Sequence, residues 1–95
     1  MYIELIPEAG KFYKVNIHSH TTLSDGKQTP EEVKEIFKAM GYSIVAYTDH
    51  DIFLPHTELN DENFLALHGF EMEINEPGSL IKRTCHLCFI GIDPE

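Results

Sequence analysis

A chain of 95 residues is long enough for one domain, and its 42% apolar content is that of a globular protein rather than a disordered one. The formal charge of −9, from 16 acidic against 7 basic residues, argues against a grip on duplex nucleic acid, which needs clustered Lys and Arg. No apolar run reaches the roughly 18 residues of a membrane helix. The start Met1-Tyr2-Ile3-Glu4-Leu5 lacks the basic and apolar regions of a secretion signal, so a cytoplasmic protein is expected.

Residues 2–6 read as a weak strand, and Pro7-Glu8-Ala9-Gly10 as a turn. Residues 11–20 read as a better strand, leading into the stretch KVNIHSHTTLSDG at 14–26. His18 and His20 are two apart, so on a strand they share one side and can present two imidazoles to one metal ion. The Thr, Ser, Asp and Gly turn after them brings Asp25, a hard oxygen ligand, back to the same place.

The clearest helix is 29–40. Thr29 suits the N-cap, Pro30 the first helical position, and Glu32 completes a capping box. Val33, Ile36, Phe37 and Met40 form one apolar stripe expected to be core, and Gly41 supplies the stop. Residues 42–48, YSIVAYT, read as a short apolar strand. Strand, helix and strand make a βαβ unit, with parallel strands, a right-handed crossover and burial on both faces. Asp49-His50-Asp51 then ends the second strand as His18 and His20 end the first. Ligands in parallel α/β folds gather at that edge.

Beyond this, 52–60 reads as a loop, 61–65 as a helical turn and 66–74 as a third strand. A Pro-Gly turn at 75–79 and a fourth strand at 84–91 follow, and Asp93-Pro94-Glu95 comes after it. Glu71 and Glu73 face the same side of the third strand, and either can supply a carboxylate. His86 and Cys88 share a face of the fourth. A His between apolar neighbours is commonly a satisfied core residue, and His86 becomes a ligand only in company with others. His56 and His68 read as loop and surface. Cys85 and Cys88 have C-x-x-C spacing, but three apart on a strand they face opposite sides, so a reduced, buried pair is expected rather than a shared metal.

Residues 39–81 hold no Lys or Arg but eight carboxylates: Asp49, Asp51, Glu58, Asp61, Glu62, Glu71, Glu73 and Glu76. A solvated acidic face accounts for most of them; bound cations would offset the rest. His, Asp and Glu without a thiolate suit Zn²⁺, Mn²⁺ or Fe²⁺, and such ions close together clamp a phosphate and activate water. Nothing points to a serine or cysteine nucleophile or to a phosphate-cradling glycine loop.

Taken jointly, His18-Ser19-His20, Ser24-Asp25-Gly26, Thr29-Pro30-Glu31-Glu32, Gly41-Tyr42, Thr48-Asp49-His50 and Gly69-Phe70-Glu71 resemble the N-terminal motifs of the PHP (polymerase and histidinol phosphatase) family, over about Val15 to Ile92. The resemblance implies a distorted (β/α)7 barrel of mainly parallel strands, present here as one partial domain over 1–95. It implies two or three divalent ions, Zn, Mn or Fe, and hydrolysis of small phosphate esters or short oligonucleotides. His18, His20, Asp25, His50, Glu71 and His86 would be metal ligands, with Glu71 bridging. Asp25, Glu71 and Asp49 would serve the chemistry, Asp49 by orienting a ligand or the strand end. Family members carry a further His and a final Asp-x-His pair on later strands, and a barrel of this kind takes about 200 residues. The expectation is therefore weak or no turnover by this chain, with the remainder of the barrel as its missing partner. The alternatives are a non-catalytic metal-binding fragment or pseudoenzyme, a polymerase-associated exonuclease module, and a plain α/β domain with incidental histidines.

Overall fold

The order β1 (Val15–Asn16), α1 (Pro30–Ala39), β2 (Ile44–Tyr47), β3 (Leu65–Asn75), β4 (Thr84–Ile90) follows the apolar runs of the chain. The structure is a computed structural model, and it describes residues 8–78 and 83–91. The expected strand at 2–6 and the segment at 93–95 lie outside the described residues.

The sheet has the order β1-β2-β3-β4. β1 pairs parallel with β2, Val15 opposite Ile44, and β2 pairs parallel with β3, Val45 opposite Ala66. β3 and β4 are an antiparallel hairpin across the Pro77-Gly78 turn, Glu71 opposite Cys88. The described residues are thus mixed α/β with a mostly parallel four-stranded sheet.

The helix forms where local chemistry dictates. Glu32 donates its backbone N–H to Thr29 Oγ1, and Thr29 donates its own to Glu32 Oε1, both at 3.1 Å. Gly41 (φ 85°) ends the helix in the left-handed region that its missing Cβ permits. Val33 packs into a core with Val45, Tyr47, Leu59, Phe64 and Ala66, and Phe37 lies against it. The Tyr47 hydroxyl donates to Pro30 O at 2.9 Å, tying β2 to the first turn of α1. Burial, with Glu31 and Glu58 nearby, pushes that phenol well above its usual range. Lys34 and Lys38 reach from the helix to Asp61, at 2.9 and 3.0 Å.

Several sequence expectations change. The strand expected at 11–20 reduces to Val15–Asn16. Asn16 Oδ1 accepts the His18 N–H at 3.0 Å, and this local bond replaces the ladder. The apolar stripe of α1 is only half used, since Ile36 and Met40 stay exposed and only Val33 is buried, with Phe37 partly so. The turn expected at 61–65 is instead a 3₁₀ turn at Thr57–Leu59, and Asp61 Oδ1 caps the Asn63 N–H. β2 is buried as expected of a central strand, but every residue of β4 is exposed. Cys85 and Cys88 are free thiols, both exposed rather than buried. His56 and His68 are buried rather than at the surface: His56 lies 4.8 Å from the Tyr47 ring, and His68 meets Phe53 edge-on at 5.0 Å. Among the described residues no helix is long and apolar enough to cross a membrane.

Candidate metal centre

The chain beyond β1 is held beside β2 by one backbone bond and two that use side-chain hydroxyls. Thr48 donates its N–H to Ser19 O (2.9 Å), Ser19 N–H goes to Thr48 Oγ1 (3.1 Å), and the Ser19 hydroxyl donates to Ala46 O (2.7 Å). Ser19 is therefore buried, and His18 and His20 turn the other way together, with Nε2 atoms 3.2 Å apart. The alternation expected of a strand survives although the strand does not.

The following loop is built on Asp49, which is 2% exposed. Its carboxylate accepts from Thr21 N–H (2.6 Å), Thr21 Oγ1 (2.9 Å) and Ser24 Oγ (2.6 Å). Ser24 and Gly26 both donate their N–H to Thr21 O. This winding carries Asp25 back to the histidines: Oδ1 lies 2.8 Å from His20 Nδ1 and Oδ2 lies 3.2 Å from His50 Nε2. Asp49 thus sits behind the cluster, holding the loop that delivers Asp25.

His50 is placed by a single parallel bridge to Glu71. Glu71 N–H donates to Asp49 O and Asp51 N–H to Glu71 O, each at 3.0 Å. Asp51 takes φ 54°, which lets the chain turn away immediately after.

Glu71 is the hub. Its side chain is 3% exposed. Oε2 lies 2.9 Å from His18 Nε2 and 3.4 Å from His20 Nε2, and Oε1 lies 2.7 Å from His86 Nδ1 and 3.5 Å from His50 Nδ1. Glu73, equally placed by spacing but passed over by the resemblance, is half exposed and lies 3.4 Å from the outer nitrogen of His86. His86 itself is nearly half exposed, not the core residue its apolar neighbours allow.

Cys88 also reaches the hub, 2.7 Å from His18 Nδ1 and 3.6 Å from Glu71 Oε2. Sequence reasoning set the thiols aside as buried. The signal for Cys88 was its shared face with His86. Two groups of donors fall within 4.8 Å of one another: His18, Glu71 and Cys88, and His20, His50 and Glu71. Glu71 belongs to both.

Electrostatics follows the geometry. Burial pushes the Glu71 carboxyl up, but the His86 hydrogen bond and the charges of His18, His20 and His86 outweigh it and leave it below its ordinary value. Asp25 is lowered in the same sense, with burial opposed by His20 and His50. The Glu71 hydrogen bond raises His86, while burial and the Glu71 charge raise the Cys88 thiol.

A divalent cation fits this donor set. An ionised carboxylate removed from water needs compensation. Imidazolium rings with nitrogens 3.2 Å apart would supply it only against their own repulsion. A cation accepts the lone pairs of neutral rings and neutralises the carboxylate together. A surface cleft of about 440 Å³ lies elsewhere, lined by Tyr13, Ile44, Asn60, Asp61 and Leu65 at the opposite end of the parallel strands. No protein-family model matches the chain, and no curated protein does.

Proposed function

We propose that this chain carries a divalent-metal centre of a phosphoester hydrolase of PHP type, set in the N-terminal part of a distorted (β/α)7 barrel. The observation that carries the reading is the convergence of four imidazoles on one buried carboxylate shared by two donor groups. His18, His20, Asp25, His50, Glu71 and His86 would hold the ions, which supply Lewis-acid chemistry by polarising a phosphoryl oxygen and acidifying water. Glu71, common to both donor groups, would be shared between the ions. Asp49 keeps the loop wound so that Asp25 stays on His20 and His50. The substrate class is a small phosphate ester, since the negative chain offers no basic track for a long polyanion.

A second reading, a metal-binding module without catalysis, is favoured by one observation. The centre is open to water: Asp25 is 66% and His18 48% exposed. Catalytic ions work best in a dry, shaped cavity. Metal analysis with a Mn²⁺-supplemented phosphomonoester assay separates the two. The expected result is metal binding, lost in the double variant His18→Ala with His20→Ala, and slow turnover. Glu71→Gln should release metal from both positions together. Binding untouched by the double substitution refutes the site; metal bound with no turnover under any ion selects the second reading.

A further inference from the structure

The two donor groups that share Glu71 are chemically unequal. His20 and His50 offer nitrogen, with Asp25 oxygen beside them. His18 is grouped instead with the Cys88 sulfur. We propose that Cys88 is a thiolate ligand, making the His18–Glu71–Cys88 position a zinc-selective site beside a nitrogen and oxygen position open to harder ions. This rests on the metal-centre reading above and adds to it a ligand type and a metal preference.

The placement of the sulfur is a property of the sheet. Cys88 stands directly opposite Glu71 in the β3–β4 ladder. Directly opposed residues of an antiparallel pair hold their Cβ atoms about 4.5–5.5 Å apart. The thiol is therefore set beside the shared carboxylate by backbone register, which positions a ligand more tightly than a loop does. One donor atom from each of the three residues lies within 4.8 Å of the others. Zn–N and Zn–O bonds of about 2.0–2.2 Å and Zn–S bonds of about 2.3 Å leave ligand atoms roughly 3–4 Å apart. Cys88 Sγ to Glu71 Oε2 is 3.6 Å, while His18 meets Glu71 through Nε2 (2.9 Å) and Cys88 through Nδ1 (2.7 Å), so its ring would turn to offer a single nitrogen to an ion held with the other two. On ligation the Cys88 proton passes to solvent and the thiolate sulfur donates to the cation. A soft sulfur donor selects zinc over manganese or magnesium, which prefer oxygen. Cys85 pairs with Ile74, at the far end of the hairpin from Glu71, and is the internal control.

Cobalt titration reads the ligand directly, because Co²⁺–thiolate bonds give a near-ultraviolet charge-transfer absorption that nitrogen and oxygen ligands lack. The whole chain should show that band on adding Co²⁺, and Zn²⁺ should displace it. Cys88→Ser should abolish the band and lower zinc affinity by more than about tenfold, while Cys85→Ser leaves both unchanged. Cys88 is exposed, so its substitution spares the core; circular dichroism checks this. Cobalt bound to the unaltered chain without the band, or with a band that survives in Cys88→Ser, overturns thiolate ligation and leaves the metal centre standing. Failure to bind cobalt at all refutes both.

Discussion

Asp49 provides the sharpest test of how the centre is assembled, because its role is architectural and its substitution is measurable without metal. Its carboxylate accepts three hydrogen bonds from the loop that carries Asp25. Hydrogen bonds to a charged acceptor contribute about 1.5–3 kcal/mol each when removed singly. The three are not additive, since one loop makes them all and water can reach the partly buried Ser24 once the loop loosens. Asp49→Ala is therefore expected to cost about 3–5 kcal/mol, mostly from the orphaned Thr21 N–H and hydroxyl. A domain of this size holds roughly 5–14 kcal/mol in total, so the variant sits near the folding threshold. Asp49→Asn keeps the shape: its carbonyl accepts from Thr21 N–H and Ser24, and the Thr21 hydroxyl rotates to accept from the amide. Its cost should be about 1–2 kcal/mol, the charge assistance alone. Urea unfolding measures both, and with a slope of roughly 1–3 kcal/mol per molar the alanine variant's midpoint moves by at least about 1 M. An alanine variant within about 1 kcal/mol of the unaltered chain, or equal to Asp49→Asn, would refute the claim that this carboxylate organises the loop.

Two further predictions concern the scaffold. A Cβ at Gly26 would lie 2.6 Å from the His20 carbonyl carbon and 2.7 Å from Thr21 N, with only backbone there to yield. Gly26→Ala should cost about 1–3 kcal/mol of stability by urea unfolding and weaken metal binding at the His20–His50 position; an unchanged midpoint counts against the close approach. Asp61 is held below its ordinary value of 3.8 by the Lys34 hydrogen bond first, then by the Asn63 N–H and Lys38, against a smaller effect of burial. Its folded pKa is depressed, so its contribution is fully present above about 3.8 and lost as pH falls through the folded value. The stability gap between the unaltered chain and Asp61→Asn should be constant near neutrality and close on acidification below that point. A gap that widens in acid would show that the two lysines do not act through this carboxylate.

What was legible in the sequence was what local chemistry decides. The Thr29–Glu32 capping box and the Gly41 stop specify α1 within one residue, because their partners lie three or four residues away. The βαβ order followed from apolar runs, and the sharing of one side by His18 and His20 from their spacing. What was not legible depends on which surfaces meet. Ile36 and Met40 have the same periodicity as Val33, yet only Val33 faces the β2 and β3 core. Tyr47 and Phe53, nine and fifteen residues from His56 and His68, are what His56 and His68 pack against, and no local pattern announces it. Spacing alone left Glu71 and Glu73 even, since both point to the same side; the resemblance favoured Glu71, and the bridge from His50 is what seats it at the cluster. Cys88 was placed on the correct face but assigned to the interior, because a strand's alternation does not say which face is covered.

The backbone at Asp51 changes how the acidity of this region should be counted. With φ 54° it occupies a conformation that Gly, Asn and Asp adopt readily and other residues avoid. In the triplet Asp49-His50-Asp51 the first carboxylate secures a loop, the last residue provides a bend, and only the histidine points to Glu71. Either flanking charge could be exchanged for an amide of the same shape with the imidazole still in position. Negative charge near the centre is therefore partly a by-product of geometry, and tallying carboxylates overstates how many donors an ion would meet.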